Sequence, residues 1–223
     1  MSSQNFHIKV QKTARYWVSG STGQSVHTVV FVLHGYGMAA LTCLEDFSGL
    51  MTEHVLLVAP EGLSRFYRKG FDGDVVASWM TREDRMYEIE DQAGYLDNLL
   101  ATVLSELAPQ AKRVVVVGYS QGVATGSRWI HRRMGKGISD FVIYAGTMAP
   151  ETLSSEWPAG VKVLQVSSDT DEFISSSDFH EQFSKLQAAN ASVRQLTYQG
   201  KHVIDPVAVS GISNYLWNQH TTT

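Results

Sequence analysis

The sequence predicts an α/β domain built on a mostly parallel central sheet with helices on both faces. Short apolar runs rich in β-branched residues, such as Thr28–Leu33 and Val114–Val117, suit strands covered on both sides. Longer stretches instead repeat apolar residues at three- and four-residue steps, as in Ile89, Ala93, Leu96, Leu100, Val103 and Leu107. The two patterns alternate along the chain, which is the order a parallel sheet with crossover helices requires. At 223 residues, 1–223 reads as a single domain without repeats or interdomain linkers. The net charge of -4, with both signs mixed, supplies no basic patch for nucleic acid and no polybasic membrane anchor. No run approaches the ~18 apolar residues of a spanning helix, so integral membrane association is not expected. Cys43 is the only cysteine, which excludes an intramolecular disulfide and makes the cytoplasm the default location. Oligomeric state stays open between monomer and homodimer.

At the start of the chain, Phe6–Val10 and Ala14–Val18 are short β-like runs about Gln11-Lys12-Thr13, a pattern that predicts a hairpin. Thr28–Leu33 follows as the first fully covered strand and ends in His34-Gly35-Tyr36-Gly37. Main chain so poor in side chains can bring its N–H groups close to a ligand, and acyl transfer needs such donors for the charge developing on a carbonyl oxygen. The N–H groups of Tyr36 and Gln121 are the candidate pair; the alternative is an ordinary glycine turn with His34 packing the loop. Ala39–Thr52 reads as a helix with Cys43 as a buried structural thiol, and Val55–Ala59 as a strand. Pro60 to Met80 reads as one long irregular loop with aromatic and basic character. Trp79 and Phe71 are its candidates for the wall of a substrate site, against the alternative that its aromatics pack onto the sheet edge. The helical pattern to Leu107 carries a solvated acidic face, with neither paired catalytic carboxylates nor metal-ligand spacing.

Arg113–Gly126 is the stretch around which the chemistry gathers. A β-branched strand runs into Gly118-Tyr119-Ser120-Gln121-Gly122, a G-x-S-x-G pattern in which a sharp strand-to-helix turn lifts the serine oxygen clear of the sheet. The helix continues to about Met134, and Ser139–Ala145 is the next strand. The connection Gly146–Gly160 is too short for a lid domain, and Met148 within it is a third candidate substrate contact. A serine hydroxyl needs a base, and the base an acid, with the acid placed beyond a later strand and the histidine after the last. Strand Val161–Val166 is followed by Ser167-Ser-Asp-Thr-Asp-Glu-Phe-Ile174, which offers Asp169, Asp171 and, less aptly, Glu172. Asp171 is favoured because Phe173 and Ile174 can pin its loop to the core while Asp169 serves the turn. Strand Val193–Tyr198 leads to Gly200-Lys201-His202, ahead of Asp205-Pro206, which suits a helix cap and first turn. His202 is therefore the candidate base. His180 lies inside a helical pattern, His131 follows the serine too closely, and His7, His27, His54 and His220 fit no such position.

The motifs His34-Gly-Tyr-Gly37, Ala59-Pro60, Ser78-Trp79, Gly118-Tyr-Ser-Gln-Gly122, Ser168-Asp-Thr-Asp171 and Gly200-Lys-His202 together resemble the phospholipase/carboxylesterase group of the α/β-hydrolases, which includes acyl-protein thioesterases. The resemblance implies an α/β-hydrolase fold with a sheet of about eight strands and no lid domain. It implies Ser120 as nucleophile, Asp171 as acid, His202 as base, Tyr36 and Gln121 as oxyanion donors, and no metal or organic cofactor. Gly122-Val123, Ser167-Ser168 and Ser175 depart from the group's frequent Gly-Gly, His-Gly and Pro, and bear on thioesterase specificity. The expected activity is hydrolysis of a small-molecule carboxylic ester, or a thioester, through an acyl-enzyme, with short acyl groups preferred. The alternatives are a lysophospholipase or acyl-protein thioesterase, and a non-catalytic binding module on a hydrolase scaffold.

Overall fold

The computed structural model describes residues 3–218. Seven strands form one sheet: β1 (Tyr16–Gly20), β2 (Thr28–Leu33), β3 (Val55–Pro60), β6 (Arg113–Tyr119), β7 (Asp140–Tyr144), β8 (Lys162–Ser168) and β9 (Val193–Tyr198). Their spatial order is β1-β3-β2-β6-β7-β8-β9, parallel throughout except for β1, which runs antiparallel to β3. This is the α/β-hydrolase arrangement, with one strand fewer than about eight.

Strand alternation divides the core into two layers. Val29, Phe31 and Leu33 of β2, with Val114 and Val116 of β6, face helices α2 (Arg85–Thr102), α3 (Gln121–Arg132) and α5 (Ser176–Ala188) through Leu96, Leu100, Trp129, Ile130 and Leu186. The intervening residues Val30, Val32, Val115 and Val117 face α1 (Ala40–Asp46) and α6 (Pro206–Trp217) through Leu44, Val209, Ile212 and Leu216. Helix α4 (Pro150–Leu153) is a single short turn in the 146–160 connection. Cys43 is fully buried in the second layer, and burial pushes its thiol pKa up.

Three local expectations are corrected. No N-terminal hairpin forms, because β3 offers one free edge and Tyr16–Gly20 takes it. Phe6, Ile8 and Val10 point to solvent, while His7 stacks on Tyr87 and bonds to Asp84 at the start of α2. Residues 60–80 are not an irregular loop. They form a separate antiparallel hairpin, β4 (Ser64–Lys69) and β5 (Asp72–Ser78), joined to the body by an isolated bridge between Met38 and Ala77. The expected Ala39–Thr52 helix stops at Asp46 and resumes as a 3₁₀ turn, Ser48–Leu50, while α2 begins at Arg85 and closes in a π-helical turn, Val103–Leu107. No helix among the described residues is long and apolar enough to cross a membrane.

Candidate active site

The predicted strand-to-helix turn is present and tight. Ser120 sits between β6 and α3 at φ 52°, ψ -116°, a region costly for a residue with a Cβ, on the order of 1–3 kcal/mol. Its N–H donates to the carbonyl of Tyr144 at 3.0 Å, and its own carbonyl accepts from Val123 at 3.0 Å. The flanking glycines are required by contact: a Cβ on Gly122 would lie 2.1 Å from the Leu33 carbonyl oxygen, and one on Gly118 2.7 Å from that of Gly122. The serine is thus held against the end of β2 as well as on its own strand.

Two loops bring side chains to Ser120. After β8, Asp171 turns its carboxylate inward, with no side-chain exposure, and its Oδ1 accepts from the N–H groups of Phe173 at 2.8 Å and Ile174 at 3.0 Å. Beyond β9, His202 approaches the same carboxylate through Nδ1, 2.9 Å from Oδ2 and 3.1 Å from Oδ1. Its Nε2 lies 3.0 Å from Ser120 Oγ. With the proton on Nδ1, the ring donates to the Asp171 carboxylate and leaves Nε2 to accept from the serine hydroxyl. Asp169 is exposed. Glu172 instead accepts the backbone N–H of His202 at 3.0 Å, and that bond holds its carboxyl below the usual range. The ring of Phe173 meets His202 edge-on at 4.9 Å, and that of Tyr119 lies 5.4 Å away.

On the opposite side is the loop after β2. His34 is completely buried and works as a strut. The N–H of Gly62 donates to its Nε2 at 2.9 Å, so its proton is on Nδ1, which donates to Gly35 O at 2.7 Å. Burial lowers its pKa, in keeping with this neutral tautomer. Gly35 packs so closely that a Cβ there would lie 3.3 Å from Ser120 Cβ. Gly37 is bonded to Ala77 O at 2.9 Å, and its carbonyl accepts from Arg68 of β4 at 2.9 Å. Between them, Tyr36 N–H has no acceptor among the described residues. Gln121 is the first residue of α3, so its N–H is one of those that no carbonyl within the helix can reach.

Residues 18–220 match the model of the phospholipase/carboxylesterase family. The chain belongs to that family. Solved structures agree in fold: esterase PE8 at TM-score 0.72 and 19% identity, covering 93% of this chain and 99% of that one. The acyl-protein thioesterase 2 of Zea mays matches at 0.67 and 19% identity (92% and 98% covered), and the carboxylesterase of Bacillus cereus at 0.67 and 16% (91% and 92%). No curated protein sequence matches the chain.

In this phospholipase/carboxylesterase chain the three residues expected to contact substrate have different surroundings. Trp79 is 1% exposed: its indole lies under the loop after β2, stacked on His34 at 4.8 Å and donating to His34 O at 2.8 Å. Met148 is 2% exposed and belongs to the first core layer, its N–H bonded to Gln182 Oε1 at 2.7 Å. Phe71 stands fully in solvent at the tip of the β4–β5 hairpin, carried outward by the turn at Gly70. The exposed aromatic rings beside the cluster are Tyr36, against Phe66 of β4, and Phe173. Sequence reading also missed the side chain of Gln121. Its Oε1 accepts from Trp79 N–H at 3.1 Å and Ser78 Oγ at 3.3 Å, and its Nε2 donates to Met80 O at 2.9 Å. Only the motif Ser78-Trp79 hinted at that clamp. Among the described residues, no group of three or more His, Cys, Asp or Glu side chains could hold a metal ion.

Proposed function

We propose that this family member is a serine hydrolase of carboxylic esters or thioesters working through an acyl-enzyme without a cofactor. The observation that carries the reading is the continuous chain Ser120 Oγ, His202 Nε2, His202 Nδ1, Asp171, with steps of 3.0 and 2.9 Å. Ser120 Oγ attacks the substrate carbonyl carbon as its proton passes to His202 Nε2, and the carbonyl π pair moves to oxygen. The N–H groups of Tyr36 and Gln121 receive that oxyanion, each worth on the order of 3 kcal/mol. Collapse breaks the bond to the alcohol or thiol, which leaves with the proton from Nε2. Water then repeats the sequence on the acyl-enzyme, giving the acid and restoring Ser120. Asp171 keeps Nδ1 protonated throughout and stabilises the imidazolium.

Short acyl groups are the favoured substrates, because the 146–160 connection carries only the short turn α4 and supplies no lid domain. A cytoplasmic location fits the lone buried thiol. The test is kcat/KM for p-nitrophenyl esters of increasing acyl length, with Ser120→Ala as the control. A fall beyond short chains, abolished in the variant, is expected; a rise toward long chains would make a lysophospholipase or acyl-protein thioesterase the better reading, and hydrolysis undiminished in Ser120→Ala would end the serine mechanism.

A further inference from the structure

The loop that carries His202 contains no regular structure, yet it must hold an imidazole within hydrogen-bonding reach of a serine on a different strand. Besides Glu172 on the His202 N–H and Asp171 on its ring, a set of buried phenols rising from the sheet holds it. Tyr119, the last residue of β6, donates its hydroxyl to the carbonyl of His202 itself at 2.9 Å. Tyr144, the last residue of β7, donates to Val203 O at 3.0 Å and accepts from the N–H of Asp205 at 2.7 Å. Tyr198 of β9 reaches Lys201 O and Val203 O at 3.3 Å each, too long to add much. The rings pack edge to face, Tyr119 on Tyr144 and Tyr144 on Tyr198, both at 5.7 Å.

Two of these residues also hold the serine. Tyr119 is covalently joined to Ser120, and the Tyr144 carbonyl accepts the Ser120 N–H at 3.0 Å. We infer that Tyr119 and Tyr144 are positioning residues, each joining the Ser120 turn to the backbone of the His202 loop and so fixing the Oγ to Nε2 separation. The inference rests on the serine mechanism proposed above. Both hydroxyls are committed to the backbone of the His202 loop, Tyr119 to His202 O and Tyr144 to Val203 O, and act through that loop. Burial raises both phenol pKa values, so the hydroxyls remain donors across the working range of the enzyme.

The test removes one oxygen and keeps the ring. Tyr144→Phe and Tyr119→Phe are assayed on p-nitrophenyl acetate, far below their unfolding temperatures, with Tyr198→Phe as the control from the same cluster. The first two are expected to lower kcat about 10- to 100-fold with KM within about twofold, since a displacement near an ångström costs that much. Tyr198→Phe is expected to stay within about twofold. Each substitution is repeated in a His202→Ala background, where it has no base left to position and is expected to leave the residual rate unchanged. Equal losses in both backgrounds would make the phenols general fold supports and overturn the inference, as would a Tyr144→Phe kcat equal to wild type. Should Tyr144→Phe fail to fold, Tyr119→Phe decides by the same comparison. A His202→Ala protein with wild-type kcat would instead refute the mechanism itself, an outcome distinct from the others.

Discussion

Replacing Asp171 by Asn tests the acid more sharply than deleting it, because the surrounding donors dictate how the amide must sit. Oδ1 of Asp171 receives two backbone N–H groups, from Phe173 and Ile174, at 2.8 and 3.0 Å. Turning an asparagine NH₂ toward them would strand two donors, at about 1–3 kcal/mol each. The amide oxygen therefore keeps that place, and the NH₂ falls where Oδ2 stood, facing His202 Nδ1, which lies 2.9 Å from Oδ2 in the native protein. Two donors cannot share that gap, so the imidazole proton moves to Nε2. There it points at Ser120 Oγ, and the ring can no longer accept the serine proton. Loss of the correct tautomer costs about 10³- to 10⁴-fold in kcat, or about 4 to 5.5 kcal/mol of barrier. Steady-state kcat on p-nitrophenyl acetate reads the effect, with Asp169→Asn as the comparison. A loss below tenfold in Asp171→Asn, or an equal loss in Asp169→Asn, would refute the reasoning.

Other consequences follow from burial and contact. In Gly122→Ala the new methyl meets backbone, at 2.1 Å from Leu33 O, so β2 and the Ser120 turn must separate. A stability loss of about 1–3 kcal/mol or more is expected in urea unfolding, together with a fall in kcat. His34 has a pKa lowered by burial from its ordinary 6.5, so below that pH the unfolded chain binds more protons than the folded one. Its contribution is full above 6.5 and lost as pH falls, by up to about 1.4 kcal/mol per unit, and His34→Asn should flatten this slope. His131, also lowered by burial, adds a dependence of the same sign. Cys43 is fully buried with a raised pKa, so the native protein should react slowly with a thiol reagent and release one equivalent only on unfolding.

What could be read from the sequence was whatever is encoded within a few neighbouring residues. The strand run Val114–Val117 and the glycines about Ser120 specify their turn locally, and His202 and Asp171 lie in loops whose order along the chain is set by the strands before them. Contacts between distant segments were not legible. Phe6, Ile8 and Val10 alternate as a strand would, yet the single free edge of β3 is occupied by β1. Residues 64–78 mix charges, aromatics and glycines, and their pairing as a hairpin depends on the cross-strand register Ser64 to Ser78. Trp79 reads as a wall residue because it belongs to the aromatic and basic stretch 60–80. Its burial follows from a partner, His34, that lies 45 residues earlier. The phenols of Tyr119, Tyr144 and Tyr198 are ordinary aromatic strand residues until their hydroxyls are seen to end on the His202 loop.

A nucleophilic Ser120 activated by His202 is tested most directly by the intact mass of the protein after exposure to a fluorophosphonate, followed by peptide mapping. A single phosphonyl adduct on Ser120, absent in Ser120→Ala and formed far more slowly in His202→Ala, is the predicted result. An unmodified protein, or an adduct on another residue that forms equally well without Ser120, would contradict it.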